Sequence, residues 1–123
     1  MKRILLVEDD PLIIEIYTTK LQEAGFKVEA ANNGAQAVKM LKQEKFDLLI
    51  LDIVLPELTG FEVLRKIKKD PKLKNLKIIM LTNLGQKTDI EKAQNLQVDR
   101  YLIKAHFTPS EVVEEIEKIL KLK

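Results

Sequence analysis

The chain of 123 residues has no cysteine, no tryptophan and a single histidine, His106. Without cysteine it can form no disulfide, thiolate metal site or thiol nucleophile, which fits a reducing compartment. Long hydrophobic runs are also missing, since no apolar stretch approaches the roughly 20 residues that a membrane-spanning helix needs. The opening Met1-Lys-Arg3 precedes an apolar run of only four residues that ends in Glu8-Asp9-Asp10, too short for a signal peptide. An excess of one charge is lacking as well. Lys and Arg number 21 against 19 Asp and Glu, a net of +2 that reads as interleaved and leaves no nucleic-acid footprint. Aromatics and turn formers are sparse, but 46% of the residues are hydrophobic, enough to build one core. The expectation is one domain over residues 1–123, soluble and cytoplasmic, with no membrane or nucleic-acid partner.

Five apolar runs alternate with segments of helical period. Ile4 to Val7 reads as the first strand, and Asp10-Pro11 opens a helix with Asp as N-cap and Pro where a missing N–H costs nothing. Leu12, Ile13, Ile16, Tyr17 and Leu21 predict one buried stripe up to about Ala24, and Gly25 predicts a left-handed C-terminal cap. Phe26 to Ala31 alternates weakly, as a sheet-edge strand does. Asn33 and Gln36 have capping-box spacing and open a second helix with Ala37, Val38 and Leu41 inward.

Leu48 to Leu51 is a continuous apolar run, read as a strand buried on both faces, and it delivers Asp52. After a loop containing Pro56, Thr59-Gly-Phe-Glu62 is a second capping-box pattern, starting a helix with Val63, Leu64 and Ile67 inward. Asp70-Pro71 closes it. Lys77 to Leu81 is the fourth strand and delivers Thr82. The helix predicted over about Thr88 to Leu96 offers little beyond Ile90 and Ala93 as an apolar face, which marks it as a candidate for movement. Tyr101 to Ile103 is the fifth strand and delivers Lys104. Thr108-Pro-Ser-Glu111 then starts a last helix with Val112, Val113, Ile116, Ile119 and Leu120 on one face. Five strands alternating with five helices predict an α/β open parallel sheet with helices on both faces, since a barrel needs eight units and about 250 residues.

In such a sheet, ligands bind at the carboxyl ends of the strands. The residues predicted to stand there are Glu8 and Asp9, Asp52, Thr82 and Lys104. Two carboxylates about 5 Å apart repel by roughly 3 kcal/mol at an effective dielectric of about 20. Lys104 can offset part of that charge, and a hard divalent cation with oxygen ligands the rest, which points to Mg2+. Mg2+, a lysine and a lone strand-end Asp make phosphoryl transfer the reaction class, with Asp52 as acceptor and Thr82 donating to a phosphoryl oxygen.

Val7-Glu-Asp-Asp-Pro11, Asp52 with Pro56 and Gly60, Leu81-Thr82 and Tyr101-Leu-Ile-Lys104 resemble, in order and spacing, the signature of the response-regulator receiver domain of two-component signalling. The resemblance implies a flavodoxin-like three-layer sandwich with strand order 2-1-3-4-5. It implies phosphoryl transfer to Asp52 from a histidine kinase or phosphotransfer protein, with Mg2+ held by Asp9, Asp52 and the Val54 carbonyl and Glu8 helping through water. Lys104 would pair with the phosphoryl group, and Thr82 and Tyr101 would form a switch pair read out by the fourth helix, fifth strand and fifth helix. A downstream protein, or a second copy, would bind there.

The chain departs from the family pattern at three places. Asn83 replaces a small residue and is read as modulating access to the acceptor. Lys104-Ala105 replaces the family's Lys-Pro, which removes the usual reason for a cis bond. Thr59 replaces an acid and is read as a helix cap. Val54 stands two residues after Asp52, where phosphohydrolases carry a general acid, so the chain is expected to promote only its own phosphorylation and dephosphorylation rather than act as an enzyme. A nucleotide or flavin binder would need a Gly-rich cradle that is absent. The remaining alternative is a receiver-like scaffold that binds protein without phosphotransfer.

Overall fold

The computed structural model describes residues 1–122. The strands are β1 (Arg3–Val7), β2 (Lys27–Ala31), β3 (Leu48–Leu51), β4 (Lys77–Thr82) and β5 (Arg100–Ile103). The helices are α1 (Pro11–Glu23), α2 (Gly34–Gln43), α3 (Gly60–Lys68), α4 (Lys87–Asn95) and α5 (Pro109–Ile119). Short 3-10 turns cover Pro71–Leu73 and Lys104–His106. All strand pairs are parallel, in the order β2-β1-β3-β4-β5.

Alternation along the central strands divides the core into two. Leu5, Val7, Leu49, Leu51, Ile78 and Met80 face one side, where α2, α3 and α4 contribute Ala37, Leu64 and Ala93. Ile4, Leu6, Leu48, Ile50, Ile79 and Leu81 face the other, under Tyr17 and Leu21 of α1 and Val112 and Ile116 of α5. This is the three-layer, flavodoxin-like arrangement, and it explains why the central strands carry unbroken apolar runs.

Local signals set most boundaries. Gly25 adopts φ 95° after α1, the conformation its C-terminal position calls for. Thr59 with Glu62, and Thr108 with Glu111, form complete capping boxes at α3 and α5. At α2 Asn33 accepts from the Gln36 N–H at 2.8 Å, but the Gln36 side chain accepts from Asn32 rather than closing the box on Asn33. The predicted α1 stripe needs correction: Tyr17 and Leu21 are buried and Ile13 packs beside them, whereas Leu12 is 64% and Ile16 44% exposed. Residues 13, 17 and 21 repeat at four-residue spacing, and one residue earlier lies about 100° around the helix, off the contact line.

Candidate functional site at the carboxyl edge of the sheet

The polar residues buried among those described are Glu8, Asp52 and Thr82. Each follows or ends a central strand, on β1, β3 and β4. Register brings the acids together: Val7 pairs with Leu51, so Glu8 and Asp52 are level at adjacent strand ends. Thr82 pairs with Ile103, which places Lys104 one step beyond.

Lys104 Nζ lies 2.5 Å from Glu8 Oε1 and 2.7 Å from Asp52 Oδ2. Burial alone would lower the Lys104 pKa, but hydrogen bonds to Asp52 and Glu8, with their charges, outweigh it and hold the ammonium above its ordinary value. The remaining oxygens are also occupied. Glu8 Oε2 accepts from the Asp9 and Asp10 N–H groups, both at 3.1 Å, and Asp52 Oδ1 accepts from the Ile53 N–H at 2.7 Å. Asp10 is spent on capping α1 through the Leu12 N–H, while Asp9 stands exposed at the mouth.

A cavity of about 380 Å3 opens here, and Glu8, Asp9, Asp52, Val54, Thr82, Asn83 and Lys104 all line it. Thus seven of the predicted site residues share one concavity. Tyr101 stands behind it. Its hydroxyl donates to the Leu84 carbonyl, and Thr82 Oγ1 accepts from the Leu84 N–H at 3.3 Å. The two predicted switch residues therefore meet on the backbone of Leu84, which sequence reasoning missed although a Thr side chain capping the N–H two residues on is a known turn pattern. Burial first, then the charges of Asp89 and Asp52, push the Tyr101 pKa up to about 12. His106 is exposed in the turn after β5, and the Lys104–Ala105 bond is trans. A larger cavity of about 710 Å3 lies where α2 ends and β3 begins, at the amino edge of the sheet, away from these groups.

Among the described residues no three acidic, histidine or cysteine side chains close into a metal cage. Mg2+ does not require one, because it keeps several waters and uses one or two carboxylates. The donors around the mouth are all oxygen, and the fit is to a hard cation sharing the site with Lys104.

Residues 4–117 match the family model described as the response regulator receiver domain. The chain belongs to this family. Among curated relatives, it is 37% identical over 121 residues to the transcriptional regulatory protein CpxR homolog of Haemophilus influenzae, covering 98% of this chain and 51% of that protein. It is 36% identical over 117 residues to a probable transcriptional regulator, ycf29, of Porphyra purpurea, covering 95% and 56%. The chain thus spans about half the length of these relatives. Among solved structures, a CheY-like receiver domain protein from Methanospirillum hungatei superposes with a TM-score of 0.89 at 31% identity, covering 98% of this chain and 94% of that one. The response regulator TrrA of Thermotoga maritima, solved in complex with Mg2+ and BeF, gives 0.84 at 38% identity, covering 96% and 98%. Receiver domains generally bind Mg2+ and act as regulators rather than as conventional enzymes.

Proposed function

We propose that this receiver domain accepts a phosphoryl group on Asp52 from the phosphohistidine of a kinase or phosphotransfer protein, in the cytoplasm, and promotes only that transfer and the hydrolysis of the resulting aspartyl phosphate to free Asp52 and inorganic phosphate. The observation that carries the reading is Asp52 itself: a buried carboxylate at a strand end, paired with one lysine and open to a cavity. An Asp52 oxygen attacks phosphorus as the phosphorus–nitrogen bond breaks with its electron pair going to nitrogen, and the donor imidazole leaves neutral because its other ring nitrogen carries a proton. Lys104 moves from Asp52 to an equatorial phosphoryl oxygen while its contact with Glu8 keeps it in place. Asp9, Asp52 and the Val54 carbonyl would hold Mg2+, with Glu8 acting through water; when bound, the ion supplies charge neutralisation for the transferred group. Thr82 turns its hydroxyl from Leu84 to the phosphoryl group, which frees the segment that Tyr101 also holds. Asn83, exposed at the mouth, narrows access to the acceptor.

That change is read at α4, β5 and α5 by a protein partner or a second copy. Only Ala93 of α4 is buried, so little packing resists its displacement. Intact mass after incubation with acetyl phosphate tests the reading. A gain of one phosphoryl group that needs Mg2+ and is absent from Asp52→Asn is the expected result. No adduct in a protein that binds Mg2+ would leave a protein-binding scaffold as the reading instead.

A further inference from the structure

Residues 53–59 run between β3 and α3 outside any strand or helix, yet they carry Val54, which is 61% exposed and lines the acceptor cavity. Backbone hydrogen bonds pin this loop. The Gly60 N–H donates to the Ile53 carbonyl at 2.8 Å. The Pro56 carbonyl accepts twice, from the Leu58 N–H at 2.9 Å and from the Gly34 N–H at 3.2 Å. The first of these closes a three-residue γ-turn around Glu57, whose φ of 71° lies in the left-handed region that side-chain-bearing residues avoid.

Gly34 belongs to another element. It is the first residue of α2, and no residue of that helix lines the acceptor cavity. A Cβ on Gly34 would lie 2.2 Å from the Leu58 carbonyl oxygen and 2.6 Å from Leu58 Cβ. Neither atom is the end of a flexible side chain, so any other residue at 34 must shift the loop or the first turn of α2 and alter the contact between them. The packing of α2 against the sheet is made further along, by Ala37 and Leu41. A strained turn persists only where its surroundings over-determine it, and Gly34 holds this one from outside its own stretch of chain.

We infer that Gly34 is a positioning residue for the acceptor site: the first turn of α2 clamps the γ-turn at Glu57, fixes the loop that carries Val54, and thereby sets Mg2+ affinity. The inference rests on the reading of Asp9, Asp52 and Val54 as the metal-binding set. Gly34 acts through Pro56 and Leu58, in the manner of outer groups whose loss weakens metal binding about 10- to 100-fold. The coupling is reciprocal, so an ion held at Val54 steadies the bond from Gly34 to Pro56.

Titration of the 15N-labelled chain with MgCl2, followed by NMR, tests this. In the wild type the Gly34 and Asp52 amides should shift along one saturation curve, and hydrogen exchange at Gly34 should slow in Mg2+. Gly34→Ala should weaken Mg2+ binding about tenfold or more. Lys39→Gly, which loosens the same helix from its exposed face, should leave the affinity within about twofold. A Gly34 amide silent to Mg2+ while Asp52 responds overturns the clamp, as does a folded Gly34→Ala protein with wild-type affinity. If Gly34→Ala does not fold, the wild-type amides decide alone. Silence at Asp9, Asp52 and Gly34 together would overturn the metal-site reading, and the clamp with it.

Discussion

Lys104 balances the two buried carboxylates of the site with one ammonium: the side chains of Glu8, Asp52 and Lys104 are 5%, 10% and 14% exposed. Removing one member of such a group costs more than the group contributes, because it leaves charge uncompensated. Lys104→Met is therefore expected to lose about 3 kcal/mol of stability at neutral pH in metal-free buffer, measured by urea unfolding. Adding Asp52→Asn should recover a large part of that loss by removing the repulsion. A Lys104→Met protein as stable as the wild type would mean that Glu8 and Asp52 do not share this cation. The type and strand-end position of each group were legible in the sequence, since Asp52 and Lys104 follow apolar runs. That both acids turn onto Lys104 while Asp9 stays outside was not, because side-chain pairing depends on register between strands whose pairing residues lie 52 and 96 positions apart.

Among the elements, α1 shows where periodicity alone misleads. Five apolar residues at helical spacing suggest one wide stripe, but the contact with the sheet and α5 is narrow, and Leu12 and Ile16 lie off it. Leu21→Ala should cost about 3 kcal/mol, since Leu21 is fully buried, and Leu12→Ala should stay within about 0.5 kcal/mol. Equal losses in urea unfolding would restore the wide stripe. The ends of α3 and α5 were readable because a capping box joins residues three apart and needs no tertiary partner. The contact of α2 with the loop after β3 was hidden, because nothing near Gly34 in the chain announces its approach to Pro56 and Leu58.

On the scale of the whole molecule, the net charge of +2 conceals a separation of charge. Residues 65–77 hold seven Lys or Arg against one Asp, a block that the impression of interleaved signs overlooks. Parallel strands place the helix C-termini at the amino edge of the sheet, where cations complement the helix dipoles, and the acids of the site collect at the opposite edge. Proton linkage acts across the molecule too. Tyr101 titrates near 12 when folded and near 10 when unfolded, so the folded state holds its proton more tightly. The Tyr101 contribution to stability is full below about pH 10 and is lost between about 10 and 12, as the unfolded phenol ionises first. The raised Lys104 pKa acts in the same direction, its contribution full below about 10.5 and lost as pH rises through its folded value. Tyr101→Phe should flatten the alkaline fall measured by unfolding from pH 9 to 12. A slope unchanged by the substitution would show that Tyr101 titrates freely.

By itself the sequence determined the five βα units, the caps that start α3 and α5, and the order in which Glu8, Asp52, Thr82 and Lys104 reach the strand ends, because these rest on short-range spacing. Only the tertiary structure decided that Glu8 and Asp52 share Lys104, that Thr82 and Tyr101 meet on the backbone of Leu84, and that the Gly34 N–H donates to Pro56 in the loop after β3. These contacts join elements far apart in the chain, and their geometry is set by sheet register and helix packing, which no local pattern encodes.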